Sequence, residues 1–141
     1  MNPQNNRRIP GSPKEWVSHA ESDPRLARLG SMDPQIFRGQ VCFHAQQAAE
    51  KAIKGVLLFR GIEFPLTHDI EELLEIAEDQ GLIIPEEIQE ADHLTPYAVE
   101  TRYPGYLEEI TGEDVNNALQ MAEHTVFWAK GVLSGEKRED S

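Results

Sequence analysis

His44, Gln47 and Lys51 fall at i, i+3 and i+7 of one segment, so a helix would line them up on a single face. Gln46 and Glu50 form an adjacent row. An imidazole, an amide and an ammonium in a line can serve as a shelf for an anionic ligand or as a subunit contact. They can equally be the solvated face of an amphipathic helix.

A second chemistry-bearing stretch runs from Tyr97 to Tyr106, where three tyrosines, Tyr97, Tyr103 and Tyr106, surround Arg102 just before Pro104-Gly105. A guanidinium with a fixed fork of donors suits a phosphate or carboxylate, and a tyrosine beside it can stack or hydrogen-bond. The bland alternative is an arginine capping helix-end carbonyls among ordinary boundary tyrosines.

Other chemistries find little footing. The five histidines, His19, His44, His68, His93 and His124, include no pair three or four residues apart, so no helical metal-ligand pair is expected. No cofactor is implied. Cys42 lies in the middle of a helical pattern between Val41 and Phe43, far from the helix terminus or cation that a reactive thiolate needs. No GxSxG, P-loop or GxGxxG occurs.

Composition bounds the partners. The chain has 141 residues and a formal charge of −12, from 13 Lys+Arg against 25 Asp+Glu. That balance disfavours a general electrostatic grip on nucleic acid, which depends on basic side chains displacing counterions. It leaves room for one small basic site. Hydrophobic residues at 39% suffice for one folded domain. The single cysteine has no partner for an internal disulfide, which fits a reducing, cytoplasmic setting. No apolar run approaches the roughly 20 residues needed to span a bilayer, so no membrane role is expected.

The elements that position these groups all read as helices. Ser12 caps a first helix from Pro13 to about Leu29, which Pro24 should kink or split. Asp33 and Pro34 open a second that runs to about Arg60, with Phe37, Val41, Ala45, Ala48, Ala52, Val56 and Phe59 as its stripe and Gly61 as its stop. Its many alanines let a neighbouring helix approach closely. A third follows Thr67 as cap and stops at Gly81. A fourth opens at Pro85, is disturbed at Pro96 and ends at Pro104-Gly105. A last one starts at Thr111. The expected fold is all-α, an antiparallel up-and-down bundle of about five helices over residues 12–134, with the two longest helices as its central pair. A loose arm (1–11) and a frayed tail (135–141) should flank it.

Three motifs in order carry a family resemblance: the run from Cys42 to Leu58, the pattern Gly61-x-x-x-Pro65-x-Thr67-His68-Asp69-Ile70, and Glu100-Thr101-Arg102-Tyr103-Pro104-Gly105. Together they resemble the HEPN family (higher eukaryotes and prokaryotes nucleotide-binding) over roughly Trp16 to Leu133. The resemblance implies a helical bundle, usually a homodimer, often paired with a minimal nucleotidyltransferase in a toxin–antitoxin-like system. Some members are ribonucleases and others bind nucleotides. The ribonuclease signature of that family is Arg, four to six residues, then His. Arg102 matches the arginine, but no histidine follows at that distance. Arg38 and His44 meet the bare spacing, but in the second helix, which is the wrong place for it.

The reading that follows is a homodimeric module binding a nucleotide or small anion through His44, Gln47, Lys51, Arg102 and Tyr103. It assumes that the second helix and the end of the fourth lie side by side. The alternatives are a metal-independent ribonuclease toxin with His44 and Arg102 as its catalytic candidates, and a non-catalytic dimerisation scaffold. RNA is a less favoured ligand.

Overall fold

The computed structural model describes residues 11–98 and 110–139. Among them the chain forms five α-helices: α1 (Pro13–Ser31), α2 (Arg38–Phe59), α3 (Ile70–Asp79), α4 (Glu86–Gln89) and α5 (Gly112–Glu139). A 3₁₀ segment, Glu90–Ala98, continues directly from α4. The architecture is the all-α, antiparallel bundle that the periodicity predicts.

Local chemistry sets most helix ends. Ser12 and Glu15 cap α1 reciprocally, Ser12 Oγ accepting from Glu15 N at 3.1 Å and Glu15 Oε1 from Ser12 N at 2.7 Å. Thr111 and Asp114 do the same for α5, both bonds being 3.0 Å. At the far end of α2, Gly61 adopts a φ of 70°. Its N–H bonds back to Leu58 O while Ile62 N bonds to Leu57 O, a helix stop that needs a left-handed residue. Gly81, at φ 97°, ends α3 in the same way.

Several boundaries differ from those read in the sequence. Asp33 does not cap α2: its carbonyl accepts from Ile36 N and its carboxylate from Gln35 N, so Asp33-Pro34 makes a turn. Four residues separate it from Arg38, where α2 begins. Asp69 rather than Thr67 caps α3, its carboxylate accepting from Glu71 N and Glu72 N, while Thr67 Oγ1 accepts from Asp69 N. Pro24 lies within α1 without splitting it, buried against its neighbours. The fourth element is not one kinked helix but a single α turn that tightens to 3₁₀ geometry before Pro96. Its expected end at Pro104-Gly105 lies outside the described residues. The last helix runs past residue 134 to Glu139, since the Glu-Lys-Arg run there has good helix propensity.

α2 is the axis of the bundle. It packs most extensively on α1, then on α5, and also touches α3 and the 3₁₀ segment. Enclosed on so many sides, it buries thirteen of its residues, among them Ala45, Ala48, Ala49, Ala52 and Gly55. Such small side chains keep neighbouring helix axes close. At Gly55 the approach is tightest: a Cβ there would lie 2.8 Å from Val17 Cγ2 and 3.3 Å from the Pro13 carbonyl. Alongside α2 the core is built from Ile70, Leu73, Ile88, Leu94 and Leu119, all essentially inaccessible.

Gly55→Ala therefore gains about 1 kcal/mol of helix propensity but forces α1 away from α2, which costs about 1–3 kcal/mol. Its urea midpoint should fall below wild type. Gly131→Ala, on an α5 position with nothing within 4 Å, should raise the midpoint, because only the propensity gain operates there.

Candidate functional site

α2 presents two polar rows, and they meet different neighbours. Gln46, Glu50 and Lys54 repeat every four residues and are all buried. Glu50 is their hub. Its Oε1 accepts from Gln46 Nε2 at 2.8 Å and its Oε2 from Lys54 Nζ at 2.8 Å. His68, from the loop before α3, sets Nδ1 3.0 and 3.1 Å from the two oxygens. Gln46 Nε2 also reaches the His68 carbonyl at 3.4 Å. Lys54 Nζ lies 5.8 Å from the centre of the Phe64 ring, a cation–π contact that shields the ammonium. Burial by itself would raise the Glu50 carboxyl. The hydrogen bonds from Lys54 and Gln46, the Lys54 charge and the His68 contact outweigh it and hold the carboxyl below its ordinary 4.5.

The second row faces α1. Lys51 Nζ donates to Asp23 Oδ2 at 2.9 Å, and His44 Nδ1 stands 3.7 Å from Asp23 Oδ1. Asp23 is thus a carboxylate shared by an ammonium and an imidazole, and its side chain is only 13% exposed. His44 Nδ1 is buried with no hydrogen-bond partner among the described residues. Gln47, expected on the same shelf, turns instead to Gln46, donating to its Oε1 at 2.8 Å. Arg102 and Tyr103 lie outside the described residues. The 3₁₀ segment leading towards them packs on α2, and Tyr97 hydrogen-bonds with the Cys42 thiol.

Cys42 is a packing residue. Burial pushes its thiol up to about 11; the Tyr97 bond lowers it somewhat and the Asp114 charge raises it. Arg38, the other half of the bare Arg–His spacing, donates from Nη1 to the Ile110 carbonyl at 3.1 Å and so ties the start of α2 to the chain entering α5. Among the described residues no group of three or more His, Cys, Asp or Glu side chains is arranged to hold a metal ion. No described helix is long and apolar enough to cross a membrane.

Beside the second row lies a groove of about 820 Å³ between the end of α1 and the start of α2. Leu26, Leu29, Ile36, Val41 and Phe43 line it, and His44 stands at its polar margin.

The sequence reading placed Gln46 and Glu50 in a row but missed that the row is interior and that Lys54 and His68 complete it. A signal was present. Ala49 and Ile53, one and three residues from Glu50, are apolar positions beside the stripe, and a carboxylate so flanked has little water to face. Glu50→Gln keeps the shape but leaves the Lys54 ammonium buried without its counter-charge, a loss of about 3–5 kcal/mol at pH 7. Because the folded Glu50 carboxyl is held below its unfolded value, its contribution is fully present above about 4.5 and is lost as pH falls through the folded value. Urea titrations at a series of pH values should show the wild-type and Glu50→Gln stabilities far apart at pH 7 and converging in acid.

The comparisons with known proteins bear on the family and the fold. The model of the HEPN domain family matches residues 14–132. The crystal structure of ST0689, an archaeal HEPN homologue, is similar with a TM-score of 0.72 and 30% sequence identity, over 88% of this chain and 99% of that one. No curated protein matches the chain. A match that spans the whole bundle from α1 to α5, joined to a shared fold, makes this chain a member of the HEPN family.

Proposed function

We propose that the domain is a homodimeric binding and interaction module that takes a nucleotide or similar small anion, and that it pairs with a minimal nucleotidyltransferase in a toxin–antitoxin-like system. The observation that carries the ligand reading is the convergence of His44 and Lys51 on Asp23, with His44 at the margin of the 820 Å³ groove. In a chain of net charge −12 this sets an ammonium and an imidazole side by side around one carboxylate, and small anions respond to such local groups more than to net charge. His44 Nδ1 has no hydrogen-bond partner among the described residues, and the His44 side chain is 36% exposed. We assign Gln47, Arg102 and Tyr103 to the same site. The pairing with a nucleotidyltransferase rests on family resemblance.

The interaction half of the proposal rests on the apolar lining of the groove and on the exposed Leu29, Met32 and Phe37 around it. The ribonuclease alternative, with His44 and Arg102 as its catalytic candidates, draws less support: no histidine follows Arg102 at the family's spacing, and Arg38, which does precede His44 at that spacing, is committed to the Ile110 carbonyl.

A ligand that binds only the folded state raises its melting temperature, by an amount equivalent to about 2.7 kcal/mol at a hundredfold excess over Kd. Millimolar ATP or GTP should raise the wild-type melting temperature by several degrees. His44→Ala and Lys51→Ala should lose most of that shift. No shift in the wild type defeats the ligand reading. Cleavage of RNA by the wild type but not by His44→Ala would favour the ribonuclease instead.

A further inference from the structure

Exposed large apolar side chains are not spread evenly over this molecule. Leu66 and Ile83 stand singly on loops, but Leu26, Leu29, Met32, Ile36 and Phe37 cluster at the end of α1 and the turn that follows. Leu26 and Leu29 are 52% and 66% exposed and lie one helical turn apart, so they form a ridge. The ridge has a different surface on either side. One is the 820 Å³ groove against α2; the other is a shallow, open face of α1 between Ser18, Glu21, Ser22 and Arg25, and both leucines border both. Knob and hole are therefore carried by the same patch, which is what a twofold, self-complementary interface requires.

Charge selects the occupant. The chain carries −12, so two copies repel over most of their surfaces. α1 is an exception: Lys14, Arg25 and Arg28 balance Glu15, Glu21 and Asp23. Much of that charge is also satisfied within the molecule. Arg28 binds Glu123 at 2.7 Å, Lys130 binds Glu21 at 2.6 Å and Lys51 binds Asp23. A strongly basic or acidic partner finds little to attract it here, whereas a second copy meets a neutral apolar face with the least repulsion available. Phe127, 80% exposed, extends this face, since it shares a side of α5 with Glu123 and Lys130, the residues that bridge to α1.

We propose that the C-terminal half of α1 is the dimer surface, with Leu26 and Leu29 of each copy seated in the groove of the other about a twofold axis. This rests on the homodimer reading and specifies it: the groove that borders His44 is closed by the second copy, so the ligand site and the dimer contact are neighbours.

The test is the solution mass, by light scattering, of the wild type, a Leu26→Asp/Leu29→Asp variant and an Ile83→Asp control, the last altering a loop residue 89% exposed. Wild type and Ile83→Asp should both have twice the monomer mass. The double variant should be monomeric at the same concentration while keeping wild-type helicity by circular dichroism, because both leucines are more than half exposed. A double variant that stays dimeric overturns this surface and leaves the homodimer reading standing. A monomeric wild type overturns both.

Discussion

A helix enclosed by neighbours on several sides must either carry small side chains or push those neighbours apart. α2 takes the first course. Its alanines and Gly55 bring α1 close enough for a Cβ at Gly55 to collide with Val17. The same proximity lets short side chains make contacts that would otherwise need long ones. Asp23, on α1, can reach both His44 and Lys51 of α2 only because the two helices are drawn together. The shared contact on Asp23 is thus a consequence of packing, and anything that separates α1 from α2 should loosen it.

Enclosure has a second consequence. A polar residue on the buried flank of α2 cannot turn to water, so each must find a partner inside. Glu50 solves this by collecting donors from Gln46, Lys54 and His68. The first two are four residues either side of it on the same helix, and beyond α2 they touch only the same connection, at the His68 carbonyl and the Phe64 ring. His68 is different: it comes from the connection to α3, so its contact sets where that loop lies and where Asp69 begins the next helix. Its side chain remains 56% exposed, so the network spans from the interior to solvent. The cost of burying a carboxylate is offset in this way by an interaction that orders a segment eighteen residues away in the chain.

The elements were legible where a local device defines them. The Ser12–Glu15 and Thr111–Asp114 caps, the stops at Gly61 and Gly81, and the apolar stripe of α2 are all written within a few neighbouring residues. Errors arose where one local signal serves two structures. Asp33-Pro34 opens a helix or makes a turn with equal ease, and the four residues before Arg38 decided for the turn. Thr67 and Asp69 are both good caps, and the shorter path from the Asp69 carboxylate to the Glu71 and Glu72 amides won. Pro24 is tolerated because α1 is held by packing along its length rather than by propensity alone. Spacing puts His44 and Lys51 on one face of α2 but does not name their shared partner on α1, because that depends on how two helices cross. Gln47 has the same spacing, yet its amide donates to Gln46: helical periodicity fixes which face a residue occupies, not which neighbour its side chain meets.

Asp23 also sets the terms on which an anion can bind. Lys51 already has a carboxylate at 2.9 Å, so an incoming phosphate must share that ammonium or displace Asp23 from it. Sharing brings two negative groups together and favours a ligand whose remaining binding energy comes from elsewhere, such as an apolar or aromatic portion. A bare inorganic anion lacks that portion, whereas a nucleotide has it in the base. On the proposed reading, a Lys51 ammonium already neutralised by Asp23 therefore argues for an amphipathic ligand over a simple ion.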